Sequence, residues 1–114
     1  MMNSVVDFKA QELEGEAPHF TEPLQPAIVQ PGEPAKLSCT VVAKPVPTIT
    51  WYKEEEQIFP GPDYQVSYDQ ATGKTELIVL NVVSQDCVYK CEAVNQFGKA
   101  VSRANLLLGQ SLML

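Results

Sequence analysis

The sequence predicts an all-β protein, a Greek-key β-sandwich of two antiparallel sheets, and three observations carry the prediction. Cys39 and Cys91 lie 52 positions apart, Trp51 follows the first by 12 residues and Tyr89 precedes the second by two. Cysteines so far apart meet only across a folded domain, and with Leu77 these residues have the spacing of a sandwich core. Short stretches of alternating apolar and polar residues recur between turn residues at the interval such a sandwich requires. Nine prolines and six glycines in 114 residues, with 45% hydrophobic content, suit short strands around one core better than a helical bundle.

Each element follows from its local pattern. Pro18–Thr21 and Ala27–Gln30 read as a first strand broken by Pro23 and Pro26, residues that cannot donate to a ladder and are confined to edges. After the turn Pro31-Gly32-Glu33, a strand points Leu37, Cys39 and Val41 inward and Lys36, Ser38 and Thr40 outward. Lys44-Pro45-Val46-Pro47 ends it. Thr48–Lys53 turns Ile49 and Trp51 inward, and Glu54-Glu55-Glu56 reads as a solvated turn beyond it. A short piece around Ile58 leads to the corner Pro60-Gly61-Pro62. Tyr64, Val66 and Tyr68 alternate with polar residues, Gln70-Ala71-Thr72-Gly73 reverses the chain, and Lys74–Leu80 returns with Leu77 and Val79 inward and Val82 capping the core. Val88–Val94, the hairpin turn Asn95-Gln96-Phe97-Gly98 and Lys99–Leu108 complete the set.

Charge and targeting narrow the function. The net charge of −6 repels phosphate backbones and excludes nucleic acid as a partner. Residues 1–17 hold Asp7, Glu12, Glu14 and Glu16 against Lys9 alone, so half of that charge lies in an acidic leader. The first residues lack the basic and apolar regions of a secretory signal, no stretch is long enough to span a bilayer, and no Asn is followed two positions later by Ser or Thr. Three cysteines are an odd count. Together these features predict a cytoplasmic protein without a membrane partner.

The pattern Pro45-x-Pro47-x-Ile49-x-Trp51-x-Lys53, then Leu77-x-Val79-x-Asn81-Val82, then Tyr89-x-Cys91-x-Ala93-x-Asn95-x-x-Gly98 resembles the I-set immunoglobulin domain across residues 18–108. The resemblance implies the sandwich just derived. It also implies a module of the kind strung along intracellular muscle and cytoskeletal proteins such as titin, obscurin, myosin-binding protein C and palladin, or a domain of an extracellular adhesion molecule or receptor. Absent signal and glycosylation sites favour the first group. One departure stands out. The family's Asp-x-Gly/Ala-x-Tyr-x-Cys reads here as Ser84-Gln85-Asp86-Cys87-Val88-Tyr89-Lys90-Cys91, one residue short. Either Gln85 takes the acidic position or Asp86 does with a residue deleted, and the Arg that pairs with it is replaced by Asp63. The corner before Cys91 is therefore expected to be unusual.

The candidates for chemistry reduce to structure. Cys39 and Cys91 stand either as an inter-sheet disulfide or as thiols packed on Trp51, and a reducing compartment favours thiols. Cys87 reads either as a redox-sensing thiol or alternative disulfide partner or, the favoured reading, as a small residue in the slot that the family gives to Gly or Ala. His19, the single histidine, has no second ligand at metal spacing. Glu54–Glu56 lack the spaced oxygens and glycine of a calcium loop. No catalytic, cofactor or metal site is predicted, so the chain reads as a structural and protein-binding module, a rigid spacer in a sarcomeric or cytoskeletal protein. Its partner is a protein, another immunoglobulin domain among the options. Three surfaces are offered for binding: the sheet edge at Leu106, Leu107 and Leu108; the apolar tail 109–114; and the leader 1–17, where Val6, Ala10 and Leu13 share one face of a short helix.

Overall fold

The computed structural model describes residues 15–82 and 86–109, so the helix expected in the leader, most of the apolar tail and residues 83–85 of the corner lie outside the described residues. Nine strands run in the order β1 (Glu16–Glu22), β2 (Ala27–Val29), β3 (Ala35–Lys44), β4 (Thr48–Lys53), β5 (Glu56–Gln57), β6 (Tyr64–Asp69), β7 (Lys74–Val79), β8 (Cys87–Asn95) and β9 (Gly98–Leu108). One sheet has the order β1-β3-β7-β6 and the other β2-β9-β8-β4-β5. The predicted sandwich is therefore present, with one pairing of the opposite sense: β2 runs parallel to β9, whereas every other pairing is antiparallel.

That parallel pair follows from the two prolines. Pro23 and Pro26 interrupt the ladder between β1 and β2, so the chain leaves the first sheet and rejoins the second. Leu24, between them, drops into the core, and its N–H donates to Ser102 Oγ of β9 at 2.9 Å. The broken first strand of the sequence is thus two strands on two sheets, and the crossing ties the layers together.

The core lies between the sheets and is built by period-two alternation. In β3 Ala35, Leu37, Cys39 and Val41 are buried while Lys36 and Val42 are exposed; β7 buries Thr75, Leu77 and Val79, and β8 buries Tyr89, Cys91 and Ala93. Ile49, Tyr64, Val66 and Cys87 pack against this cluster partly buried. The β6–β7 hairpin needs its glycine. Gly73 has φ +82°, and a Cβ there would approach the Val41 carbonyl oxygen to 2.1 Å. The close approach has a purpose, since the Val41 N–H donates to the Gly73 carbonyl at 2.9 Å and stitches the turn to β3.

Candidate protein-interaction surface

The centre of the sandwich fixes everything outside it. Trp51 on β4 is 1% exposed and stands opposite Cys91 in the β4–β8 register. Its indole Nε1–H donates to Thr75 Oγ1 at 3.1 Å, and the Thr75 hydroxyl donates onward to the Ser67 carbonyl at 2.8 Å. One hydroxyl thus satisfies the single polar atom of the indole and links the two sheets through β7 and β6. Leu77 is fully buried beside it. Cys39 and Cys91 are free thiols in contact, and the Cys91 thiol is pushed well above its ordinary value, first by its hydrogen bond with Cys39 and then by burial. Burial likewise raises the Tyr89 phenol, with the neighbouring Cys87 thiol and Tyr64 hydroxyl adding to the shift.

The surface candidates fare differently. Leu106 is a core residue, and Leu106, Leu107 and Leu108 pair with Ala27, Ile28 and Val29 of β2. The edge they were expected to offer is filled by a strand of the same chain, and Ile28 of that strand is 70% exposed in their place. At the corner, Asp86 Oδ1 accepts the Leu108 N–H at 2.8 Å, so this carboxylate closes the end of β9. Cys87 is half-buried on β8.

The glutamate turn is exposed as predicted, but it also makes specific contacts that its sequence does not announce. Glu54 and Glu55 have φ of 50° and 71°, the left-handed values of a two-residue hairpin, at a cost on the order of 1 kcal/mol each for a residue with a Cβ. Backbone and side-chain bonds hold them there. The Glu54 N–H donates to the Val88 carbonyl at 2.9 Å, and Glu54 Oε2 accepts the Val88 N–H at 2.7 Å. Glu55 meets Lys90 Nζ at 2.6 Å and Arg103 at 3.6 Å. All three glutamates are exposed, as the predicted turn requires, yet Glu54 and Glu55 have these partners while Glu56 joins no ion pair among the described residues. The two-residue spacing between Lys53 and Glu56 was the available signal, obscured because the turn lacks Asn or Gly.

From that turn a polar network crosses the outer face of the five-stranded sheet. Lys90, its side chain 12% exposed, lies 4.3 Å from the Tyr52 ring centroid. The Tyr52 hydroxyl donates to Glu92 at 3.1 Å, and Glu92 meets Lys99 at 3.5 Å. Burial and the Glu92 hydrogen bond raise the Tyr52 phenol. At the opposite end of the molecule, Asn95 Nδ2 donates to the carbonyls of Glu16 and Pro45, while Phe97 packs on Gly15. These contacts cap this end by tying the start of β1 to the β3–β4 loop and the β8–β9 turn. His19 sits exposed beside Glu16.

On the other face, Glu76 lies between Lys74 at 3.1 Å and Lys36 at 3.6 Å. The Lys74 contact holds its carboxyl below the ordinary 4.5, as the Lys90 hydrogen bond does for Glu55. A depressed folded value means the unfolded chain binds these protons more readily, so this stability is complete above about pH 4.5 and lost as pH falls through the folded values. Carboxyl titration by NMR is expected to give both glutamates low midpoints, with Lys74→Met raising that of Glu76 and 1 M salt weakening both shifts because each pair keeps one solvent-exposed partner.

This is the geometry of a binding sandwich: a locked core, ordered outer faces and no clustered metal ligands among the described residues. No described helix is long and apolar enough to cross a membrane. The immunoglobulin I-set domain family matches residues 18–108, and the chain belongs to it. It is 36% identical over 99 residues to titin of Drosophila melanogaster, which covers 82% of this chain and rounds to 0% of the relative. It is 37% identical over 98 residues to the muscle M-line assembly protein unc-89 of Caenorhabditis elegans, covering 85% of the chain and 1% of the relative. The chain therefore spans a very small part of these relatives. Among solved structures it is similar to titin domains Z1Z2 in complex with telethonin, with TM-score 0.76 and 31% identity over 82% of this chain and 48% of that one. It is also similar to a chain of the titin M10–obscurin-like 1 immunoglobulin complex, with TM-score 0.77 and 26% identity over 83% and 96%.

Proposed function

We propose that the chain is a structural and protein-binding module, one immunoglobulin domain of a muscle or cytoskeletal multidomain protein in the cytoplasm. It acts as a rigid spacer and a scaffold for partners, with no catalytic role. One observation carries the reading: a single folded unit covers 82–85% of this chain in alignments with titin and unc-89, yet 1% or less of those proteins, as one bead in a long string would. Two similar structures are complexes, one with telethonin and one with an immunoglobulin partner, which supports protein partners of the sarcomere for this chain as well. The locked Trp51 core and the Asn95 cap supply the stiffness that such a spacer needs. In a pull-down from muscle lysate, the full chain is expected to retain a sarcomeric or cytoskeletal protein, and a version cut to residues 18–108 is expected to retain the same one. Failure of both to capture such a protein would overturn the reading.

A further inference from the structure

Four strands stand at sheet edges, and three of them carry devices that stop an edge from recruiting a further strand. The register of β1 slips twice and the strand contains Pro18; β2 has three residues between Pro26 and Pro31; β5 has two. The fourth, β6, has six residues, an unbroken register with β7, and no proline, lysine or bulge. Tyr64 and Gly61 exchange both backbone hydrogen bonds, at 3.0 and 3.4 Å, so the polar backbone groups of Tyr64 point away from β7. In an antiparallel ladder residues two apart point the same way. The N–H and C=O groups of Val66 and Tyr68 therefore face outward too, and among the described residues no strand lies beyond them in the sheet.

The loop beside this edge adds chemical character. Phe59 is 65% exposed on a segment stiffened by Pro60 and Pro62, and it shares a groove with Tyr64, Glu56, Asp63 and a single cation, Lys53. Glu56, Asp63 and Asp69 are all exposed, and none joins an ion pair among the described residues. We propose that the β6 edge docks an extended basic segment of a partner protein, which adds as a strand along Val66 to Tyr68. Its lysines or arginines meet Glu56, Asp63 and Asp69, and an apolar side chain covers Phe59. A second copy of this chain is disfavoured as occupant, because it would bring the same acidic rim against itself. The proposal rests on reading the chain as a protein-binding module and names the surface and the partner's chemistry.

The probe is a synthetic peptide of alternating lysine and valine, about eight residues long, titrated into the full-length protein with amide NMR as readout. Shifts are expected at Val66, Tyr68 and the loop around Phe59, with slowed exchange of the Tyr68 amide. Val66→Pro removes an outward N–H without touching the β6–β7 ladder and is expected to weaken binding about tenfold or more. Alternate N-methylation of the peptide, which leaves the protein intact, is expected to do the same. An otherwise identical glutamate-valine peptide is expected not to bind.

Shifts confined to another edge, equal binding of the glutamate peptide, or indifference to N-methylation would overturn the proposal. A dimer in sedimentation that Val66→Pro dissolves would do so as well. If the peptide results fail while the full chain still captures a sarcomeric protein from lysate, the edge assignment falls and the module reading stands. If no capture occurs either, both fall.

Discussion

Replacing Trp51 by alanine is expected to lower the unfolding free energy by about 3–5 kcal/mol, the usual cost of deleting a buried aromatic. Domains of this size have roughly 5–15 kcal/mol in all, so the variant should be marginal at room temperature. Two companions separate packing from hydrogen bonding. Thr75→Val keeps the volume and removes the hydroxyl, leaving the indole Nε1–H and the Ser67 carbonyl without that partner, for about 1–3 kcal/mol. Trp51→Phe removes the indole N–H and leaves an aromatic body, so it should fall between the other two. Urea unfolding of the two single variants and the double one gives the coupling directly. A double variant whose loss equals the sum of the singles would show that the indole and hydroxyl do not act as a unit.

Oxidising Cys39 and Cys91 to a disulfide is expected to raise stability by about 4 kcal/mol, because the crosslink closes a loop of 52 residues in the unfolded chain. The reaction should be slow in the native state. The Cys91 thiol is held above its ordinary value by its contact with Cys39 and by burial, and only the thiolate is reactive. A thiol reagent should label half-buried Cys87 first and reach Cys39 and Cys91 only as fast as the domain opens. Protein from its native compartment is expected to show three titratable thiols in denaturant. A count of one would mean that the crosslink is the native state and that the core is held by more than packing. Immediate labelling of all three without denaturant would contradict the burial of the pair.

The legibility of this fold follows from how sandwiches are made. Alternation in β3, β7 and β8 named the inward residues because a half-buried strand offers the solvent every second side chain. Cys39, Trp51, Leu77, Tyr89 and Cys91 were therefore readable before any coordinate. The Glu54–Glu55 turn was harder, because its left-handed residues are stabilised by Val88, Lys90 and Arg103, all more than 30 positions away. Local propensity favours Asn and Gly there, and long-range bonds override it. The edge at Leu106–Leu108 escaped for a similar reason. A run of three leucines announces burial, but only the placement of β2 shows that the burying strand comes from the same chain.

The sequence by itself determined the class of fold, the core, the breaks at Pro23 and Pro26, and the family, since each rests on residue spacing or on a backbone limit of one residue type. Tertiary structure alone decided which sheet each half of the broken strand joins and which edges are closed. It also decided that β6, with its outward Val66 and Tyr68 groups near Phe59, is an edge left without a neighbour among the described residues. Pairing joins residues remote in sequence, and an open edge is defined by the absence of a neighbour, which no local pattern encodes.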